Sequence, residues 1–319
     1  CCNCGMSDVS APRNIVILCD GTGQDRTDPA SNVTHLARRL PENAVDQPVC
    51  YIPGLGSGPE GLLGRWFGYG LIADIAAGYR FLVRHHRPGD RVFLLGYSRG
   101  AYAMRALSGL LDQLGLVREP NPRRERQALR LYTRRAPVGE QAAFAERHTR
   151  ACPVHFIGAW DTVASLGYLY SRAVIMDTTL AASVRHARHA LAIDECRPKF
   201  EPLLWSPDCL GPHQTLRQRW FTGAHGDVGG GYARRGLAEI ALGWMLAEAQ
   251  AVGLWVREDY AVSQPPDPFA PIHRPWKQWR GRLLLWLFGG ERPRRIPQDA
   301  VLHPSVQARR RRADAGQPD

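Results

Sequence analysis

The sequence lacks any apolar run that approaches the roughly 18 residues needed to span a bilayer. It also lacks a visible secretory signal peptide, and its first residue is Cys1 rather than Met. Met6 could be the natural start, and a mature lipoprotein, which begins with Cys, is the alternative. We expect a cytoplasmic protein by default, and export by a specialised secretion system stays open.

The cysteines form neither a disulfide framework nor a pair of Cys-x-x-Cys motifs. Of the eight, three crowd the first four positions, at Cys1, Cys2 and Cys4, and the others are scattered. Scattered thiols suit a reducing compartment, and no zinc-ligand spacing is present. We therefore expect no metal and no cofactor. Residues 1–13 are expected to be a disordered or non-native N-terminal segment.

The charge is unbalanced, with a formal net charge of +11. A positive excess of this size suits anionic partners such as an anionic lipid surface. An Arg-rich surface that faces only solvent would give the same net charge. The chain has no zinc-finger spacing, RNP-like pattern or basic zipper, so we do not expect nucleic-acid binding. Nothing in the sequence indicates the oligomeric state.

Short apolar strands alternate with helical segments. The 319 residues, 44% of them hydrophobic, suffice for one large α/β domain with insertions or for two small domains. Strands are predicted at 14–19, 49–53, 91–95, 154–159 and 219–224, and helices at 71–85, 101–114 and 237–252. This alternation predicts an α/β-hydrolase-like fold, a mainly parallel central sheet with helices on both faces.

The remaining stretches suggest a domain division. We assign residues 14–260 to the catalytic domain, with a polar, basic insertion at about 120–150. Residues 261–308 form a Pro- and Trp-rich C-terminal extension, and residues 309–319 a polar tail. Within the extension, tryptophans, an apolar hexad and arginines are mixed over residues 276–295. Such a stretch can lie in a membrane interface, or it can be a helix packed on the core.

The motif Gly96-Tyr97-Ser98-Arg99-Gly100 lies between a predicted strand and a predicted helix. A serine on such a sharp turn has a strained backbone and an exposed hydroxyl above the sheet. The following helix points its positive end at the same place, which favours a developing oxyanion. We therefore predict Ser98 as a nucleophile, the alternative being a structural turn serine.

A nucleophilic serine needs a base and an orienting acid, in the chain order Ser, Asp or Glu, His for this fold. Asp161 and His225 each follow a predicted strand and keep that order. We predict Asp161 as the acid and His225 as the base. His303, in a late loop, is the rival base. Asp227 is the rival acid, although its place two residues after His225 suits a supporting hydrogen bond better.

The oxyanion hole needs two backbone N–H groups. One should come from Arg99, which follows the nucleophile. The other should come from Gly21 or Thr22, in the loop after the first strand, where glycines let the backbone approach a substrate. A plain Gly-rich turn is the alternative for this loop.

Five motifs together resemble one family. They are Leu18 to Gly23 (LCDGTG), Gly96 to Ala101 (GYSRGA), Trp160 to Val163 (WDTV), His189 to Glu195 (HALAIDE) and His225 to Tyr232 (HGDVGGGY). In this order the chain resembles the DUF2235 family, which includes the catalytic domain of Tle1-like phospholipase effectors of type VI secretion. The resemblance implies an α/β-hydrolase fold and a triad at Ser98, Asp161 and His225. It also implies a lipid ester, phospholipid above all, as substrate.

Three other interpretations stay open. Gly56-Ser57-Gly58-Pro59-Glu60-Gly61 matches G-x-G-x-x-G, but Pro59 and the Gly-rich, aromatic residues 62–70 do not resemble the helix that must open at a dinucleotide site. Asp20, Asp194 and Asp227 could hold calcium if they met; otherwise Asp20 is a supporting residue, and Asp194 and Glu195 form salt bridges. A general carboxylesterase acting on small soluble esters, or a non-catalytic binding protein on the same fold, is the alternative function.

Overall fold

The computed structural model describes residues 12–21, 30–54, 66–163, 179–259, 264–274 and 290–315. Within these residues the centre is a six-stranded sheet in the order β2-β1-β3-β6-β7-β8, with every neighbouring pair parallel. The strands are β1 (Asn14–Cys19), β2 (Val49–Ile52), β3 (Arg91–Tyr97), β6 (Val154–Trp160), β7 (Val184–Ala192) and β8 (Thr215–Phe221). Two short strands, β4 (Leu116–Val117) and β5 (Thr149–Arg150), pair antiparallel beside it.

Side chains alternate along β1 between two cores. Ile15 and Ile17 face one hydrophobic cluster, and Val16 and Leu18 face the other. All six residues of β1 are buried, because helices cover both faces of a parallel sheet. The fold is therefore α/β-hydrolase-like, as predicted.

The helices divide between the two faces. In the described chain they are α1 (Asn32–Arg39), α2 (Trp66–His85), α3 (Arg99–Leu114), α4 (Pro122–Thr133), α5 (Val138–His148), α6 (His225–Gly229), α7 (Gly236–Gln250) and α8 (Pro304–Asp314). Residues of α2 to α5 pack on the face that carries Ile15 and Ile17. Residues of α1 and α7 pack on the face that carries Val16 and Leu18. The region predicted as an insertion contains α4 and α5.

Two strands of the central sheet differ most from the sequence prediction. No strand was predicted over β7, where Arg185, His186, Arg188 and His189 interrupt the apolar pattern. Two of these polar side chains are satisfied inside the fold, because Arg188 pairs with Glu248 and His189 bonds to a backbone amide. The last strand, β8, begins and ends earlier than the predicted 219–224. Gly223 has φ 115°, far from the negative φ of a β-strand, so the strand ends before it, at Phe221.

The order of the strands creates a crevice for the site. The chain leaves β1 toward β2 on one side and returns to β3 on the other side. At such a topological switch, loops after the two strands diverge above the carboxyl edge of the sheet, which is where ligands bind in open α/β sheets. Ser98 follows β3, and Asp20 follows β1.

Candidate active site

Ser98 occupies a strained turn between β3 and α3. Its backbone has φ 57° and ψ −119°, outside the regions that a non-glycine residue favours. Small neighbours make this turn feasible, since a Cβ on Gly96 would lie 2.6 Å from backbone atoms of Gly100. This geometry matches the sharp strand-to-helix turn predicted from the Gly-x-Ser-x-Gly motif.

Ser98, His225 and Asp161 form one hydrogen-bonded chain. The Oγ of Ser98 lies 2.9 Å from Nε2 of His225. The Nδ1 of the same imidazole lies 2.5 Å from Oδ2 of Asp161. The three residues follow β3, β6 and β8 at the carboxyl edge of the sheet. The arrangement can pass a proton from the serine hydroxyl to the imidazole while the carboxylate orients the ring.

Asp161 is fully buried and also has a left-handed backbone, with φ 45°. Its Oδ1 accepts a hydrogen bond from the amide of Ala192 at 3.0 Å. The guanidinium of Arg294 binds both carboxylate oxygens, with Nη1 2.7 Å from Oδ1 and Nη2 2.8 Å from Oδ2. The carboxylate is thus held on both oxygens in addition to its contact with His225.

The electrostatics favour a charged acid and a neutral base. Burial alone would raise the pKa of Asp161, but the charge and hydrogen bonds of Arg294, together with His225, lower it below its ordinary value. Burial lowers the pKa of His225, and Asp161 offsets this in part. At pH 7 the imidazole is therefore neutral, donating from Nδ1 to the carboxylate and accepting at Nε2.

His225 opens α6 and is enclosed by aromatic rings. The ring of Tyr97 lies 4.8 Å away between centroids, and the ring of Phe200 lies 4.9 Å away in an edge-on contact. The amide of His225 donates to Oε2 of Glu195 at 3.3 Å. The Arg197 guanidinium holds Glu195 through both carboxylate oxygens and lies 3.5 Å over Phe200. The salt bridge predicted for Glu195 is thus made with Arg197.

His189 supports the turn that carries Asp161. Its Nε2 accepts a hydrogen bond from the amide of Thr162 at 3.1 Å. Burial lowers the pKa of His189 to about 3, so the ring is neutral and can accept at this nitrogen. The sequence had marked His189 only as part of a motif; its function as a backbone acceptor depends on the pairing of β6 with β7.

Asp20 lies directly after β1 and is held by several hydrogen bonds. Its carboxylate accepts from the hydroxyls of Ser31 at 2.6 Å, Thr34 at 2.9 Å and Tyr51 at 2.8 Å. Its Oδ1 also accepts from the amide of Gly21 at 2.7 Å. These bonds fix the carboxylate of Asp20 and engage the amide of Gly21.

Gly21 lies against the nucleophile turn, since a Cβ there would be 3.4 Å from Cβ of Ser98. Its amide, however, is already engaged by Asp20. Arg99, whose amide is also expected to form the oxyanion hole, is the first residue of α3 and directly follows Ser98. Thr22 lies outside the described residues, as does the glycine motif at 56–61.

The rival histidine and the rival acid lie elsewhere. His303 caps α8, with Nδ1 2.9 Å from Oγ of Ser305, and its ring stacks on Phe221. Asp227 accepts from the amide of Ala224 at 2.9 Å and from Nδ1 of His273 at 2.6 Å. Among the described hydrogen bonds, neither His303 nor Asp227 joins the chain of Ser98, His225 and Asp161.

The aspartates proposed as calcium ligands have separate partners. Asp194 accepts from the amide of Gly223 at 2.7 Å, and no salt bridge to Asp194 is present among the described residues. Asp20 is surrounded by hydroxyls, and Asp227 by His273 and a backbone amide. In the described part of the chain no group of three or more His, Cys, Asp or Glu side chains is arranged to hold a metal ion.

Arg294 is the site residue that the sequence did not reveal. The sequence left open whether residues 276–295 lie in a membrane interface or pack on the core; the Arg294 side chain is 2% exposed and contacts Asp161. Arg292 and Arg295, by contrast, are exposed. Most of the rest of the segment, residues 275–289, lies outside the described residues. No helix among the described residues is long and apolar enough to cross a membrane.

The parallel sheet with its strained serine turn defines the class of α/β-hydrolases. The family model of the catalytic domain of Tle1-like phospholipase effectors of type VI secretion systems matches residues 13–248. The match covers most of the chain, and the chain therefore belongs to this family. The description of the family is that of a catalytic domain of phospholipase effectors.

Comparison with curated proteins gives a relative of much greater length. Protein YEL023C of Saccharomyces cerevisiae, described as uncharacterized, is 27% identical over 231 residues. The similarity covers 63% of this chain and 34% of the yeast protein. The chain thus spans about a third of the length of this relative.

Three solved structures share part of the backbone arrangement. An uncharacterized protein from Pseudomonas aeruginosa has a TM-score of 0.47 at 18% identity, covering 77% of this chain and 46% of that one. A Tle1 effector bound to the VgrG spike of a type VI secretion system has a TM-score of 0.40 at 17% identity, covering 69% of this chain and 51% of that chain. Thermogutta terrifontis esterase 2, phosphoramylated by tabun, has a TM-score of 0.40 at 11% identity, covering 76% of this chain and 84% of that chain.

Proposed function

We propose that the chain is a serine hydrolase that cleaves lipid esters, with phospholipids as the substrate class, through an acyl-enzyme intermediate. The observation that supports this most is the hydrogen-bonded chain from Ser98 through His225 to Asp161. A serine at a strained turn, a neutral imidazole and a buried carboxylate are the three parts that acyl transfer needs.

In the first half of the proposed reaction, Oγ of Ser98 attacks the carbonyl carbon of the ester. Nε2 of His225 takes the hydroxyl proton, and Asp161 stabilises the imidazolium that forms. The negative charge moves to the carbonyl oxygen, where the Arg99 amide at the start of α3 can donate to it. When the tetrahedral intermediate collapses, the C–O bond to the alcohol breaks, and His225 returns its proton to the leaving oxygen.

In the second half, water replaces the alcohol. His225, again neutral, takes a proton from the water as its oxygen attacks the acyl carbon. The bond between the acyl group and Ser98 breaks, and the serine oxygen recovers the proton from His225. The products are a fatty acid and the alcohol portion of the lipid. This sequence regenerates all three residues and requires no other reactant.

Two features support phospholipid as the substrate. The matched family is described by its phospholipase effectors. The net charge of +11 favours an anionic lipid surface, where each basic residue near the surface contributes about 1 kcal/mol. The Trp-rich stretch that could add apolar anchoring belongs to the sequence argument alone, since residues 275–289 lie outside the described chain.

The proposal is tested by comparing substrates. The purified protein and Ser98→Ala are incubated with phosphatidylcholine vesicles, with and without phosphatidylglycerol, and with p-nitrophenyl butyrate. Fatty acid should be released from the vesicles by the wild type, faster when anionic lipid is present and more slowly at high salt. Turnover of the short ester without any phospholipid hydrolysis would instead favour a general carboxylesterase.

A further inference from the structure

The acid of the hydrogen-bonded chain has a second, charged partner. Arg294 contacts Asp161 through two N–H groups, at 2.7 and 2.8 Å, one to each carboxylate oxygen. The same guanidinium donates to the carbonyl of Ala192 at 2.8 Å and to the carbonyl of Phe200. A guanidinium held by four acceptors in a fixed plane has little freedom to move. The contact therefore fixes the plane of the carboxylate that faces His225.

This partner comes from outside the part of the chain that defines the family. The family model ends at residue 248, and Arg294 lies in the C-terminal segment beyond it. The segment is attached to the catalytic body on both sides of Arg294. Before it, the amide of Arg292 donates to the carbonyl of Cys196 at 2.8 Å, and after it, Leu302 pairs with Trp220 beside β8.

The charge of Arg294 also matters for the base. A lone carboxylate beside an imidazole stabilises the protonated ring and raises its affinity for protons. A cation that pairs with the carboxylate offsets part of that effect. Since Asp161 is fully buried and Arg294 is almost so, solvent screens this interaction weakly.

Other charged or titratable groups near the pair largely balance each other. Glu195, which accepts from the amide of His225, is neutralised by Arg197. His189, on the far side of Asp161, is neutral because burial lowers its pKa to about 3. The phenol of Tyr97 stays protonated, since burial raises its pKa well above the ordinary value. Among the described groups, Arg294 is therefore the cation that compensates Asp161.

We propose that Arg294 is a positioning residue for the acid: it fixes both oxygens of Asp161 and keeps His225 ready to accept a proton in mildly acid solution. The inference rests on the proposed function, because it assumes that Ser98, His225 and Asp161 act together. It adds that the segment after residue 248 belongs to the catalytic unit.

The test is the pH profile of kcat/KM with a short soluble ester, measured for the wild type, Arg294→Gln, Arg294→Lys and Arg295→Gln. Arg295 is the matched control, because its side chain is the exposed neighbour of Arg294. In Arg294→Gln the acid limb should move by about one pH unit to higher pH, since removing a nearby cation lets Asp161 stabilise imidazolium more strongly. Arg295→Gln should keep the wild-type profile.

An unchanged midpoint in Arg294→Gln, even with a lower plateau, would overturn the proposal, because a purely structural contact scales the rate at every pH. If this variant does not fold, Arg294→Lys decides the question. Lysine keeps the positive charge but cannot form the bidentate contact with both carboxylate oxygens of Asp161. It should keep the wild-type midpoint with a clearly lower plateau, and a plateau equal to that of the wild type would contradict positioning through both oxygens.

The proposed function fails in a different way. If the wild type neither hydrolyses esters nor reacts with a fluorophosphonate at Ser98, the assignment of the three residues is wrong. If the wild type reacts and its rate follows a single acid limb, the assignment stands. The position of that limb in the Arg294 variants then tests the further inference alone.

Discussion

A Cβ placed on Gly100 would lie 2.2 Å from the carbonyl oxygen of Cys19, a distance that no real side chain tolerates. The helix that begins next to Ser98 therefore approaches the end of β1 as closely as its backbone allows. Because Asp20 follows Cys19 directly, this contact also sets the distance between the serine turn and Asp20. Glycine at position 100, two residues after Ser98, is thus required by packing.

Gly100→Ala should lower the free energy of unfolding by about 1–3 kcal/mol, since the new methyl meets backbone that cannot move aside. Hydrolysis should fall too, because relief of the clash displaces α3 from β1. Gly243→Ala in α7 is the matched control: its Cβ would meet nothing within 4 Å, and it should stabilise by about 0.5–1 kcal/mol. Denaturant titration measures the free energy of unfolding of both variants. Equal values for Gly100→Ala and Gly243→Ala would contradict the close approach of α3 to β1.

The base is distinguished by comparing two histidines. His225→Ala should reduce kcat by a factor on the order of 10³ or more, because His225 is the residue whose ring bonds to the hydroxyl of Ser98. His303→Ala should keep nearly wild-type kcat, since its ring stacks on Phe221 and bonds to Ser305. Steady-state kinetics with a soluble ester decides between them. A large loss in His303→Ala with retained activity in His225→Ala would reverse the assignment.

The acid is distinguished in the same way by two aspartates. Asp161→Asn should lower kcat by about 10³–10⁴, because an amide cannot hold His225 in the required tautomer. Asp227→Asn should cost far less activity, because Asp227 bonds to Ala224 and His273 rather than to His225. Thermal unfolding of both variants controls for loss of fold. Comparable losses of kcat in two folded variants would argue against Asp161 as the orienting acid.

The pH dependence of the wild type follows from the environment of His225. Burial lowers its pKa below the ordinary 6.5, with Asp161 offsetting part of the effect. The base acts in its neutral form, so kcat/KM should be on its plateau at pH 7 and fall only below the ordinary range for histidine. An acid limb centred above that range would mean that Asp161 raises the pKa of His225 by more than burial lowers it.

Much of the fold was predictable because the apolar pattern is strong where the sheet is buried. The strand over residues 14–19 was predicted to the residue, and α3 began only two residues before its predicted start. β7 was not predicted, because its arginines and histidines look like a solvated face. Only the fold supplies their partners, such as Glu248 for Arg188.

The candidate site was predictable to the extent that it follows strand ends. Ser98, Asp161 and His225 each come directly or almost directly after a parallel strand, and such ends meet at one edge of the sheet. Arg294 has no such signal, because it lies in a Pro- and Arg-rich stretch, 133 residues from Asp161, whose composition indicates a surface. The engagement of the Gly21 amide by Asp20 was equally invisible, since it depends on the turn itself.

The most direct test of the hydrolase assignment is mass spectrometry of the intact and digested protein after reaction with a fluorophosphonate. We expect one adduct, on the peptide that contains Ser98. It should be absent from Ser98→Ala, strongly slowed in His225→Ala and retained in His303→Ala. The absence of an adduct from folded wild-type protein, or an adduct on another serine at an undiminished rate in His225→Ala, would contradict the account.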